Sequence, residues 1–112
     1  MALTEKQCVP CEGGVDPLGA EDIRTYAKQV PAWEVVEDHH LKRSLKFPNF
    51  EKALGFVNEV GKIAEAEQHH PEIHFGWGHA EIEVFTHAID GLHENDFIVA
   101  AKIDEAYGDG SA

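Results

Sequence analysis

The chain has 112 residues, of which 43% are hydrophobic and 27% charged, enough for one domain with its own core. Its formal net charge is -12, and it lacks the clustered Lys and Arg that a phosphate backbone requires, so we expect no nucleic-acid partner. No apolar run approaches the roughly 20 residues that cross a bilayer, and no basic amphipathic helix suits a membrane surface. The N-terminus has no secretory signal, so the expected location is cytoplasmic.

Residues 1–17 are interpreted as a leader and residues 18–112 as a single domain. The leader is broken by Gly and Pro and carries one Cys-Val-Pro-Cys motif, Cys8 to Cys11. A lone CxxC is half of a zinc site or a redox pair, and its usual second half is missing. A loose thiol pair is the simplest interpretation, and a metal or disulfide shared between subunits is the alternative.

The first half of the domain predicts a helix followed by a hairpin. Over residues 18–30 the apolar residues recur at helical spacing, and Pro31 ends the pattern. Apolar and polar residues then alternate over 32–37 and 41–47, as in two paired strands. His39 and His40 fall in the polar turn between these strands, where we expect them to be solvated and without a partner.

A long helix is predicted over residues 49–66, with Asn49 as its N-cap. It has two apolar faces, one with Phe50, Leu54, Val57, Gly61 and Ala64, the other with Phe56, Val60 and Ile63. One sheet cannot cover both faces, so the second is a candidate subunit interface. A homodimer or homotetramer is the expected assembly.

Pro71 ends this helix because the residue before a proline is pushed out of the α region. Strands are predicted over 72–77 and 80–87, with a tight turn at Trp77, and a last helix over 95–107. The predicted order is α-β-β-α-β-β-α. It favours an α+β fold of two layers, a four-stranded antiparallel sheet with three helices on one face.

Three histidines and two acids are expected around one concavity, where the long helix ends and the fourth strand exits. They are His69, His70, His87, Glu65 and Asp96. Three imidazoles could hold a catalytic zinc, but adjacent histidines are an awkward pair for tetrahedral geometry. Acid–base catalysis without a metal is the competing type of site, because an unperturbed imidazole exchanges its proton near neutral pH.

The spacing of these residues resembles the signature of the pterin-4a-carbinolamine dehydratases. An acid, three residues, His-His-Pro, five residues, an aromatic residue, nine residues, a His and then an Asp correspond to Glu65, His69-His70-Pro71, Trp77, His87 and Asp96. Thr86, Gly91 and Leu92 also match. The resemblance covers roughly residues 18–107, and the leader looks like that of bacterial members.

The resemblance implies a lyase that dehydrates 4a-hydroxytetrahydropterin to quinonoid dihydropterin and so recycles a tetrahydrobiopterin-type compound. It implies no cofactor and no metal. His69 and His87 would be the acid–base pair, in either order, and His70 would orient the pterin. The expected substrate-binding residues are Glu65, Asp96, Trp77 and Thr86. An interaction module that uses the helix over 49–66 and a His-ligated metalloenzyme remain as alternatives.

Three positions depart from the family pattern. Gln68 and Ile73 replace a common acid and a common tryptophan, which is expected to change the polarity and ring packing of the pocket. His93 replaces a helix-capping Ser or Thr, and we expect this to weaken the cap by up to ~1 kcal/mol. The histidines expected to lie outside the chemistry are His39, His40, His74, His79 and His93.

Overall fold

The computed structural model describes residue 3 and residues 16–108. In these residues three helices and four strands follow one another as α-β-β-α-β-β-α, which confirms the predicted order. The helices are α1 (Ala20–Ala27), α2 (Phe50–Glu67) and α3 (Glu94–Tyr107), and the strands are β1 (Glu34–Val36), β2 (His40–Lys46), β3 (Glu72–Gly76) and β4 (His79–Val84). The predicted Cys8–Cys11 motif lies outside the described residues.

The four strands form one antiparallel sheet in the order β1-β2-β4-β3. Leu41 of β2 lies opposite Val84 of β4, and Ile82 of β4 lies opposite Ile73 of β3. The predicted α+β class and antiparallel sheet are therefore confirmed. Strands β3 and β4 are antiparallel, so the end of β4 lies beside the start of β3. The connection from the end of α2 leads into the start of β3 at this same place.

Burial alternates along the strands, because successive side chains point to opposite faces of a sheet. The residues that face the helices are buried: Leu41, Leu45, Ala80, Ile82 and Val84. Helix α2 contributes Ala53, Phe56, Val60 and Ala64 to the same core. Helix α3 is the most enclosed element, with eight buried residues that include Phe97 and Ile103. No helix among the described residues is long and apolar enough to span a membrane.

The outer face of α2 stays uncovered in the single chain. Phe50 is 45% exposed and Leu54 is 39% exposed, whereas Ala64, which was predicted on this face, is buried. The ring of Phe50 lies 5.7 Å from that of Phe75, which is 37% exposed on β3. An apolar patch therefore runs from the start of α2 onto the edge strand β3. It lies on the first predicted face of α2, whereas the second face, predicted as the interface, is directed to the core: Phe56 and Val60 are buried and Ile63 packs against that core.

The predicted bounds of β4 need one correction. The strand ends at Val84 and does not reach His87. Thr86 pairs with Gly91 in an isolated bridge, and a 3-10 turn over His87–Ile89 fills the loop between them. Asp90 closes that turn in the left-handed region, with φ of 50°. His87 consequently lies at the start of a tight turn and not on a strand.

Candidate active site

The first turn of α3 is closed by a reciprocal cap that includes a predicted site residue. The backbone N–H of His93 donates to Oδ2 of Asp96 at 2.8 Å. In return, Nδ1 of His93 accepts from the backbone N–H of Asn95 at 3.1 Å. The expectation that His93 weakens this cap is wrong, because an imidazole nitrogen accepts a hydrogen bond as a Ser or Thr oxygen does.

Asp96 also holds two side chains from other elements. Its Oδ1 accepts from Nε2 of His69 at 2.6 Å, and its Oδ2 accepts from the hydroxyl of Thr86 at 2.8 Å. The Asp96 side chain is 0% exposed. Three donors thus converge on one enclosed carboxylate, which is how a protein offsets the cost of burying such a group. This carboxylate ties the end of α2 and the exit of β4 to the start of α3.

His69 owes its position to the end of α2. Gln68 adopts the left-handed conformation that ends the helix, and the N–H of His69 still donates to the carbonyl of Ala64 at 3.1 Å. A carboxylate only accepts, so the contact with Asp96 assigns the proton of the neutral ring to Nε2. Nδ1 of His69 has no hydrogen-bond partner among the described residues, and the side chain is 12% exposed. The ring therefore keeps one nitrogen for a proton acceptor role.

His70 pairs with Glu65, its Nε2 donating to Oε2 of that residue. Both side chains are open to solvent, at 58% and 74% exposure. The side-chain amide of Gln68 donates to the carbonyl of Glu65 at 2.7 Å and braces the same helix end. The two acids predicted for the site thus serve different histidines, Glu65 the outer one and Asp96 the inner one.

His87 lies next to this network. It follows Thr86, whose hydroxyl is bound to Asp96. Its ring packs on Phe85 with centroids 4.2 Å apart, and its Nε2 lies 4.0 Å from a carboxylate oxygen of Glu72. Glu72 begins β3 directly after His70-Pro71. The three predicted histidines therefore surround one corner, formed by the end of α2, the start of β3 and the exit of β4.

Two of the predicted substrate-binding residues are enclosed within this corner, since Asp96 is 0% and Thr86 is 3% exposed. Trp77 lies elsewhere: it stands in the two-residue turn between β3 and β4 and is 70% exposed. Strand β3 separates this turn from Glu72, and at roughly 3.3 Å per residue that is ~17 Å. The structure does not bring Trp77 to the three histidines of its own chain.

The expectation for His39 and His40 is wrong. Nε2 of His39 donates at 2.8 Å to Oδ1 of Asp90, which is 51 positions away, and its ring lies 4.7 Å from that of Phe85. Nε2 of His40 lies 3.7 Å from a carboxylate oxygen of Glu83. These contacts were missed because they join a hairpin tip to a loop that no local pattern connects with it.

A separate cleft of about 410 Å³ lies between the first half of α2 and the end of α3. Its lining includes the rings of Phe47, Phe56 and Tyr107 together with Glu51 and Lys52. It contains no imidazole, so it offers no pair suited to proton transfer near neutral pH. Across the described residues, no group of three or more His, Cys, Asp and Glu side chains has an arrangement that could hold a metal ion.

An α+β domain with a carboxylate-held histidine beside two further histidines defines a candidate acid–base site. The family model described as pterin 4 alpha carbinolamine dehydratase matches residues 16–106. The chain belongs to this family. The resemblance of its His-His-Pro signature is thereby confirmed.

Individual relatives agree over almost the whole chain. A provisionally named pterin-4-alpha-carbinolamine dehydratase of Rubrobacter xylanophilus is 62% identical over 102 residues, 91% of this chain and 95% of the relative. One of Methylococcus capsulatus is 52% identical over 105 residues, 93% and 92% of the two chains.

Two solved structures are similar in fold. A transcriptional coactivator/pterin dehydratase from Brucella melitensis has a TM-score of 0.78 and 26% identity, with 83% of this chain and all of that chain covered. A pterin dehydratase-like protein identified as a RuBisCO assembly factor in the alpha-carboxysome has a TM-score of 0.59 and 20% identity, over 69% of this chain and 90% of that one. The second similarity concerns the fold alone.

Proposed function

We propose that this protein dehydrates 4a-hydroxytetrahydropterin to quinonoid dihydropterin by histidine acid–base catalysis. The observation that carries the proposal is the bond from Nε2 of His69 to Asp96, which leaves Nδ1 of a nearly enclosed imidazole without a partner among the described residues. A carboxylate behind an imidazole fixes its tautomer and stabilises the imidazolium that forms when the ring takes a proton.

The reaction is an elimination that needs one proton accepted and one donated. The bond from C4a to the hydroxyl oxygen breaks, N5 loses its proton, and a double bond forms between C4a and N5. The departing hydroxyl takes a proton and leaves as water. One of His69 and His87 accepts the N5 proton while the other donates to the hydroxyl, so the pair ends with one proton moved across it.

The other site residues have supporting roles in this proposal. His70 and Glu65, both exposed, orient the pterin from the rim. Asp96 and Thr86 have almost no surface for a ligand, so they act through His69 and do not contact the substrate. Trp77 has the least support as a substrate contact, since β3 holds it away from the histidines of its own chain.

The test generates the 4a-carbinolamine in solution and follows the rate of its dehydration with purified protein. The parent protein is expected to accelerate the decay, and His69→Ala and His87→Ala are each expected to reduce kcat by about 10²–10⁴-fold. His74→Ala, at an exposed position in the middle of β3, is the matched control and should leave kcat unchanged. A parent rate equal to the buffer rate rejects the function, and unchanged rates for both variants reject these roles. Deletion of the gene, followed by measurement of pterin recycling, tests the proposed recycling role. Cell fractionation tests the proposed cytoplasmic location.

A second candidate function, protein interaction, is favoured by the apolar patch on α2 and β3. Phe50, Leu54 and Phe75 are each more than a third exposed. Exposed clusters of large apolar side chains commonly mark interaction surfaces. We propose that this patch forms a homodimer or homotetramer, and that it is also the surface for any interaction role of the kind named for the Brucella relative. Phe50→Ser with Leu54→Ser should lower the mass measured by light scattering, while a mass equal to the parent's contradicts the proposal.

A further inference from the structure

The position of His87 is fixed by packing. Its side chain is 60% exposed, and among the described residues its ring makes no hydrogen bond. Its contacts are the ring of Phe85 at 4.2 Å and the carboxylate of Glu72 at 4.0 Å. The orientation of the His87 ring therefore depends on the residues that hold Phe85 and the following turn in place.

His39 contacts that turn on both sides of His87. On the side before it, the ring of His39 lies 4.7 Å from the ring of Phe85. On the side after it, Nε2 of His39 lies 2.8 Å from Oδ1 of Asp90. The N–H of Asp90 in turn donates to the carbonyl of His87 at 3.2 Å, so Asp90 is the residue that closes the turn. His39, Phe85 and Asp90 form a bracket around His87.

A tight turn at the hairpin tip places His39 beside Phe85 and Asp90. Glu37 and Asp38 both have positive φ, 53° and 54°, and the N–H of His39 donates to the carbonyl of Val36 at 2.9 Å. Two successive positive φ angles closed by this hydrogen bond are the pattern of a type I′ turn, whose twist matches that of the flanking strands. Nδ1 of His39 lies 3.1 Å from Nδ1 of His40, which fixes the ring from its other side.

Global stability does not account for this contact. The Asp90 side chain is 88% exposed and that of His39 is 33% exposed. Exposed ion pairs contribute little to the free energy of unfolding, since water screens them and both side chains lose rotamer freedom. The two contacts of His39 instead fix the local geometry. The contact with Asp90 fixes the turn, and the contact with Phe85 fixes the ring on which His87 packs.

We propose that His39 is a positioning residue that orients His87 through Phe85 and Asp90. The catalytic part of this inference rests on the proposed dehydratase function, and the structural part does not. When His39 is removed, Phe85 and the turn gain freedom and His87 leaves its productive direction. A small misplacement of a catalytic group costs up to about 10²-fold in rate, so a loss of about tenfold is expected for a partial one.

The test compares His39→Ala with the control His74→Ala. His39→Ala should lower kcat about tenfold with KM changed about twofold or less, because the bracket does not line the rim where the pterin is oriented. The ring protons of His87, followed by NMR, should lose the ring-current shift that packing on Phe85 imposes. His74→Ala should change neither quantity. Thermal unfolding of both variants identifies a general loss of fold.

A double-mutant cycle with Asp90 shows whether the effect runs through the bracket. Asp90→Ala removes one of the two contacts of His39, so it should lower kcat by no more than His39→Ala does. The double variant should be no slower than His39→Ala, since the contact with Asp90 is already lost in that variant. Asp90→Asn keeps an oxygen that accepts from the imidazole N–H, so it should restore most of the parent rate and the parent ring-current shift. Additive losses in the cycle overturn the proposal.

The two readouts separate failure of this inference from failure of the proposed function. If the parent protein has no dehydratase activity, the ring-current shift of His87 still tests the bracket, and loss of the shift in His39→Ala supports it. If the parent is active and His39→Ala keeps both kcat and the His87 shift, the positioning role is refuted and the dehydratase stands.

Discussion

Helix α3 carries a hydrogen-bonded carboxylate near each end, and the two differ in what they hold. Near the C-terminal end, Asp104 accepts from Nε1 of Trp33 at 2.7 Å and from the guanidinium of Arg43. In the first turn, Asp96 accepts from His69, Thr86 and the backbone of His93. Each of these clusters binds α3 to residues outside the helix, and each satisfies its carboxylate.

The partners of each carboxylate decide what the cluster can do. An indole N–H and a guanidinium keep their protons at any physiological pH, so the Asp104 cluster is a fixed tie. The Arg43 guanidinium also lies 5.0 Å from the ring of Tyr107, which adds a cation–π contact to the same tie. An imidazole exchanges its proton near neutral pH, so the Asp96 cluster has a member that can enter a reaction. Similar carboxylates therefore support a structural cluster and the proposed catalytic cluster on one helix.

The largest expected difference between the two clusters is the change in kcat when the carboxylate is replaced by an amide. In Asp96→Asn one oxygen remains to accept, while the new NH₂ group faces a donor, so His69 loses its fixed tautomer or the helix loses its cap. We expect kcat to fall by at least about 10²-fold and the free energy of unfolding by roughly 2–3 kcal/mol. Steady-state kinetics and urea unfolding of the same preparation measure the two effects.

Asp104→Asn is the matched control and should keep kcat within about twofold of the parent. If Asp96→Asn loses stability but keeps its kcat, then Asp96 is a tie like Asp104 and the histidine mechanism needs another base. If Asp104→Asn removed activity from a protein that remains stable, the Asp104 cluster would not be purely structural, and the difference between the two clusters would be refuted.

The second expected effect is on stability alone. Asp104→Ala leaves the indole N–H of Trp33 and the guanidinium of Arg43 without their acceptor, and the Arg43 side chain is only 18% exposed. We expect the free energy of unfolding to fall by about 1–3 kcal/mol, with kcat unchanged once the protein is folded. Glu105→Ala, at the neighbouring exposed position of α3, should stay within about 0.5 kcal/mol. An equal effect of the two variants would show that the Asp104 cluster adds nothing.

Sequence patterns predicted the parts of this molecule that repeat with a regular period. The alternation in β2 and β4 correctly gave these two strands and their buried faces. The N-cap of α2 was also correctly predicted at Asn49, whose side chain accepts from the backbone N–H of Lys52 at 2.9 Å. These features are local, so a window of the sequence contains their causes. From the sequence we also expected Glu65 and Asp96 to lie near the histidines, and the structure pairs them with His70 and His69. The roles of these residues in a site stay a prediction.

The errors fall where a side chain has an unusual partner or a distant one. His93 caps α3 although imidazole is a less frequent cap than a hydroxyl, and only the direction of its ring reveals this. His39 bonds to Asp90 across 51 positions, and β4 gives way to a 3-10 turn before His87. The burial of Asp96, which was expected to bind the substrate, also depends on packing by several elements. Tertiary packing decides all four.

A smaller effect is expected at Thr86, which belongs to the Asp96 cluster through its hydroxyl. Thr86→Val keeps the shape and removes the donor, so Asp96 retains two of its three partners. We expect a loss of about 1–2 kcal/mol in stability and a fall of several-fold in kcat, because His69 keeps its own bond to the carboxylate. Thr86→Ser, which restores the hydroxyl, should recover most of both. A Val variant with parent kinetics would limit the catalytic part of the cluster to His69 and Asp96.

The smallest expected effect separates the two halves of the α3 cap. His93→Ala removes the acceptor of the Asn95 N–H, but the backbone N–H of residue 93 still donates to Asp96. Stability should therefore fall by about 1 kcal/mol while kcat stays close to that of the parent, and His93→Ser should regain the lost stability. Thermal unfolding and kinetics on the three proteins measure this. If kcat falls tenfold or more in His93→Ala and His93→Ser does not restore it, the imidazole of His93 is instead part of the reacting site.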